Sequence, residues 1–163
     1  MIRILNKHLD RSIYTPIIPT KIWSHIKSNE TIHVVKACFP GYVFIRTEKS
    51  ADEVLKEVIP IISFTKDAWF FLSYGSDRYN MALKEAEQIL LQRLMNSEFC
   101  MDISRGFIEG DRVKIIAGAL FGLESRIKKI NKRRQTAVIS IPIMGDTRDI
   151  TLALEIINKV SQD

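Results

Sequence analysis

Long apolar runs are missing from this chain of 163 residues. Uncharged apolar stretches such as 58–65 and 137–144 are far too short to span a bilayer. The first eight residues are broken by Arg3 and Lys7, so they lack the apolar core of a signal peptide. Cysteine is scarce. Cys38 and Cys100 are the only two and no Cys-x-x-Cys pair exists, which argues against a disulfide framework and for a reducing compartment. The cytoplasm is the expected location, with no membrane partner. Catalytic motifs are absent too. His8, His25 and His33 show no HExxH spacing, and no P-loop, GxSxG elbow or dinucleotide fingerprint occurs. A His33/Cys38 metal pair lacks further ligands. We therefore expect no enzyme, no metal and no cofactor.

What is present is a globular composition, with 46% apolar and 26% charged residues. The charge is concentrated. Residues 124–134 hold six basic residues and one acid, which equals the whole net charge of +5. A focused basic patch on an otherwise balanced chain suits a polyanion partner, although a solvated basic turn is the commoner outcome.

In chain order, the apolar spacing of Ile2, Ile4, Leu5 and Leu9 predicts a helix over 2–10, with no N-cap signal ahead of it. Pro16 and Pro19 make 13–23 extended and suited to a sheet edge. A turn at Ser28-Asn29-Glu30 leads to a strand over 31–36. Pro40-Gly41 then feeds Tyr42 to Ile45, an apolar run that reads as a central strand covered on both faces. Ser50 and Glu53 have capping-box spacing, so a helix starts there, and Pro60 is expected to end it. Ile61 to Leu72 reads as a further strand, 74–77 as a turn and 80–95 as an amphipathic helix. Trp23 and Trp69 read as core or interface residues.

Residues 97–107 lose periodicity and read as a linker between residues 1–96 and 108–163. The second unit is a train of five short strands at 112–115, 125–130, 137–143, 148–152 and 155–160. Gly118 and Gly122 bracket a turn and 131–134 forms a hairpin tip. Five short strands in so few residues imply a small barrel. The fold class is α+β: an antiparallel sheet with helices, then a small five-stranded SH3-like β-barrel.

Two motifs now meet. Phe39-Pro40-Gly41-Tyr42-Val43-Phe44, between a proline-containing strand and a capped helix, resembles the N-terminal (NGN) domain of NusG-type transcription elongation factors. Glu109 to Ile115, followed by Gly118 and Gly122-Leu123-Glu124, resembles a KOW motif. The second unit's basic run is most similar to the LoaP-like antiterminator branch. The resemblance implies a monomeric factor that binds RNA polymerase through 1–96 and a nascent RNA hairpin through a KOW domain at 108–163. Contact with non-template DNA belongs to the same family picture. It places Phe39, Tyr42, Phe44 and Phe64 at the polymerase. The family's opening strand, beside Tyr42–Ile45, has no counterpart here, which raises the expectation of a truncated start and of weak folding or weak polymerase binding. The isoleucine-rich alternation of 136–143 with Pro142 offers no helical alternative, so a fold-switching KOW domain is not expected.

Lys128, Lys129, Lys132, Arg133, Arg134 and Arg148 are the candidate RNA contacts, because Lys and Arg neutralise phosphates and Arg also reads guanine edges. Strand alternation puts Lys128 and Lys129 on opposite faces, so one of them shares the face of the tip. Two further readings remain: a general adaptor whose KOW domain binds ribosomal or termination proteins, and a ribosome-associated RNA-binding protein.

Overall fold

A computed structural model describes residues 1–27, 30–66, 69–110 and 112–157. The expected turn at Ser28-Asn29, Asp111 of the KOW-like motif, and 158–160 of the last expected strand lie outside the described residues. The fold is α+β with three α-helices and three sheets.

Helix α1 (Ile2–His8) buries Leu5 against α2 (Ala51–Ser63). The capping box at the start of α2 forms as its spacing predicts. Ser50 Oγ accepts the Glu53 N–H, and the Glu53 carboxylate accepts the Ser50 N–H at 3.0 Å. Val54, Leu55 and Val58 are buried. Pro60 does not end this helix, which runs on to Ser63. The carbonyl that Pro60 leaves without a donor is that of Lys56, and both residues are exposed, so the group is open to solvent. The strand expected over 61–72 is therefore absent among the described residues. Its first three residues belong to α2, and Trp69 to Ser73 make no ladder. Helix α3 (Glu85–Leu94) starts five residues later than its periodicity suggests. Glu87, buried among apolar neighbours, accepts the Lys84 N–H at 3.0 Å and the Tyr74 hydroxyl, which pins the first turn there.

The strands of the first half form two sheets, not one. β1 (Thr15–Ile17) pairs only with β4 (Phe44–Arg46). β2 (Thr20–Lys27) lies between β3 (Glu30–Ala37) and β5 (Cys100–Met101), the latter parallel to it. β4 is thus shorter than the central strand expected over Tyr42–Ile45, and it lies at an edge. Gly41 at φ +86° and the Tyr42 N–H bonded to the Phe39 carbonyl at 3.1 Å hold 39–42 in a turn, so the ladder begins only at Phe44.

The second half forms a curled five-stranded sheet in the order β7-β6-β10-β9-β8. Its strands are β6 (Ser104–Glu109), β7 (Arg112–Ala117), β8 (Ile127–Asn131), β9 (Thr136–Ile143) and β10 (Asp146–Ile156). The number of strands is the expected one, but two identities change. The two last expected strands are one long strand, β10, which pairs antiparallel with β9 and then parallel with β6. The fifth strand is β6, and with β5 it occupies most of the stretch expected to be a linker.

Two glycines make this closure possible. A Cβ on Gly106 would stand 2.5 Å from the Lys114 carbonyl oxygen, and one on Gly118, at φ +89°, would stand 2.2 Å from that of Ile103. Ser104, fully buried, accepts the Leu120 N–H at 2.9 Å across the same junction. Glu124 accepts the Ile115 N–H at 3.2 Å and ties edge strand β7 to the turn before β8. One core cluster spans both halves, packing Phe39, Leu90 and Leu94 with Leu120, Ile139, Ile141 and Leu152, while Leu5, Leu9, Tyr14, Val54 and Val58 form a second cluster under α1 and α2. No helix among the described residues is long and apolar enough to cross a membrane.

Candidate nucleic-acid interface and aromatic surface

The basic candidates gather on edge strand β8 and the turn that follows it. Residues 132–135 join β8 to β9. Asn131 Oδ1 accepts the Arg134 N–H at 2.9 Å, and Gln135 adopts φ +50° to close the turn. Lys132, Arg133 and Arg134 are exposed, and their side chains have no ion pair among the described residues. Lys128 and Lys129 do not alternate as a regular strand would require. The register slips between Ile127 and Lys129, so a bulge re-aims the chain and both lysines are exposed.

Lys128 is the one of these five with a partner. Its ammonium lies 2.9 and 3.2 Å from the two Asp149 oxygens. Asp149 also accepts the Ser140 hydroxyl, and that bond first, then Lys128, holds its carboxyl below the usual carboxylate value. Among the described residues, Lys129, Lys132, Arg133 and Arg134 thus present four unpaired cations beside one neutralised one.

Arg148 does not join them. It sits opposite Ile141, five residues along β9 from the tip at Thr136, roughly 17 Å away at strand rise. Its guanidinium donates to the Tyr42 hydroxyl at 3.2 Å, lies 5.9 Å from the centre of that ring, and pairs with Asp146 at 3.2 Å. That makes it a clasp between the β9–β10 turn and the first half.

The four aromatic candidates separate. Phe39 is 6% exposed and packs edge-on to Phe44, with ring centres 5.7 Å apart. It is a core residue, covered by Ile143 and Met144 from the β9–β10 turn around a cavity of about 140 Å³. Tyr42 and Phe44 are half-buried at the rim of the same cavity. Phe64, capping the C-terminus of α2, is 91% exposed and stands outside this group. Phe70, at 77% exposure, is a second bare aromatic, and sequence reasoning did not single it out, because it took 61–72 as a strand.

An apolar groove of about 710 Å³, which shares Tyr42, Phe44 and Met144 with that cavity, is bounded by α2, Trp69 to Leu72 and α3. The Trp69 Nε1 is buried without a hydrogen-bond partner among the described residues. The cysteines show no sign of chemistry. Cys38 lies 3.3 Å from the Met101 sulfur, and burial pushes its thiol up to about 11. Among the described residues no three His, Cys, Asp or Glu side chains converge as metal ligands.

Over 146 residues, the chain is 24% identical to the transcription termination/antitermination protein NusG of Thermus thermophilus, a match covering 88% of this chain and 79% of that protein. No protein-family model matches the chain. The match to NusG spans most of both halves, so it covers the turn at Phe39–Tyr42 as well as most of the curled sheet.

Proposed function

We propose that this protein is a transcription elongation and antitermination factor that binds RNA polymerase through its first half and a nascent RNA hairpin through the basic edge of its second. The NusG likeness supports the transcription role and the polymerase partner. The RNA reading is carried by one observation: Lys129, Lys132, Arg133 and Arg134 stand exposed and unpaired among the described residues, on one edge strand and its turn.

A row of cations on a sheet edge serves two ends. It blocks pairing with other strand edges, and it offers ammonium and guanidinium groups to phosphates. The tip's Arg fork suits bidentate contact with phosphate or with guanine in a bulge or loop, where bases are open to side chains. A face built for protein would instead show apolar anchors, and the tip has none. Since Phe39 is buried, polymerase contact falls to Tyr42, Phe44 and Phe64. Processive antitermination, in the manner of LoaP-like factors, is the activity that unites an RNA-reading tip with a polymerase-bound body.

The test is a gel shift of the full chain on RNA hairpins. Arg133→Ala with Arg134→Ala lowers affinity about tenfold or more at moderate salt and flattens the salt dependence, with an unchanged melting temperature. Unchanged affinity in that variant contradicts the reading.

A further inference from the structure

The β2–β3 ribbon carries a second cationic feature far in sequence from the basic tip. The register sets Lys21 directly opposite Lys36 and Trp23 opposite Val34. Residues two apart share a face, so both lysines and the indole lie together. Like charges placed directly opposite destabilise a sheet. Neither ammonium has a carboxylate partner among the described residues. Lys21, half-buried, donates to a neutral group, the Thr151 carbonyl, at 2.8 Å. Burial lowers its pKa; Cys38 opposes that shift and Lys36 adds to it. Both ammoniums instead lie 5.5 Å from the centre of the Trp23 ring. The ribbon's one acid, Glu30, sits six residues along β3 from Lys36, roughly 20 Å away. β3 is the outer strand of its sheet and Lys36 is exposed, so the pair is open to a ligand.

We propose that Lys21, Trp23 and Lys36 form a binding site for single-stranded nucleic acid, in which the two ammoniums take backbone phosphates and the indole stacks an unpaired base. Two cations held on an aromatic ring match the pattern by which single strands are bound without sequence preference: positive charge along the backbone and a stacking platform for a base. Phosphate oxygens draw the ammoniums off the indole and leave its face to the base. The Thr151 contact fixes Lys21 to β10, so the site is held by both halves of the molecule and is distinct from the tip.

The experiment uses the full chain carrying Trp69→Phe, so that Trp23 is the remaining indole, and titrates it with oligothymidylate while following tryptophan emission. Emission is quenched on binding. Lys36→Gln, which removes an exposed side chain that makes no hydrogen bond among the described residues, weakens binding several-fold and lowers the slope of log affinity against log salt by about 0.7. Adding Lys21→Gln lowers it by about 1.4 in total. Arg133→Ala with Arg134→Ala leaves the quenching unchanged, which separates this site from the RNA-binding tip. Absent quenching, or a salt slope unmoved by Lys36→Gln in a protein of unchanged melting temperature, overturns the proposal. Polyglutamate quenching as strongly as oligothymidylate also overturns it, in favour of an acidic protein partner.

Discussion

The β9–β10 hairpin and the β1–β4 pair are both antiparallel ladders, yet they differ in what holds them. β9 and β10 pair over eight residues, with Ala137, Ile139, Ile141 and Ile143 buried in strict alternation against Ile150 and Leu152. β1 and β4 pair over three, and the central pair is Pro16 with Ile45. Proline has no N–H, so this pair takes the place in the ladder without hydrogen bonds, and Ile45 directs its own N–H and C=O to the opposite edge, where no strand pairs with β4 among the described residues. One ladder is saturated on both sides and the other is half-used. The saturated ladder carries the basic edge as a rigid scaffold. The half-used one borders the aromatic surface.

That contrast can be broken in graded steps. The largest effect is expected at Gly118, where any Cβ meets backbone and φ is positive. Gly118→Ala costs about 4 kcal/mol or more and lowers the melting temperature, because one core cluster spans both halves. Truncation inside the saturated ladder comes next: Leu152→Ala costs about 3 kcal/mol, whereas Ile45→Ala, in the half-used one, costs about 1 kcal/mol in urea unfolding. Equal losses at the two sites would erase the distinction.

The smallest step is the cap of α2. The Lys49 ammonium, then the Ser50 N–H and hydroxyl, hold the Glu53 carboxyl down to about 2, against an ordinary 4.5. A depressed carboxylate contributes stability that is present above 4.5 and is lost as pH falls from there towards 2. Ser50→Ala removes the capping hydroxyl, so it lowers the melting temperature at neutral pH and reduces the acid sensitivity of melting in that window.

Much of this was legible from local chemistry. The capping box of Ser50 and Glu53, the alternation of β9 and the polar tip at 131–134 each depend on residues near one another in sequence, and each stands where expected. The features that escaped depend on distant partners. Phe39 is buried because Ile143 and Met144, about a hundred residues away, fold over it. β6 was hidden because its inward positions include Ser104 and Gly106, which carry no apolar signal; one is buried for a hydrogen bond and the other for lack of a side chain. The bulge at Lys128 is equally silent in sequence, yet it exposes both lysines and so sets the composition of the candidate RNA edge. Arg148, grouped with the tip by charge alone, is drawn to Tyr42 by topology.

The most direct measurement is transcription by RNA polymerase through a terminator placed downstream of an RNA hairpin that the full chain binds in a gel shift. The account predicts increased readthrough on adding the protein, lost when the hairpin is deleted from the template or when Arg133 and Arg134 are changed to alanine. Readthrough that is absent, or that persists unchanged without the hairpin and with the double variant, would contradict it.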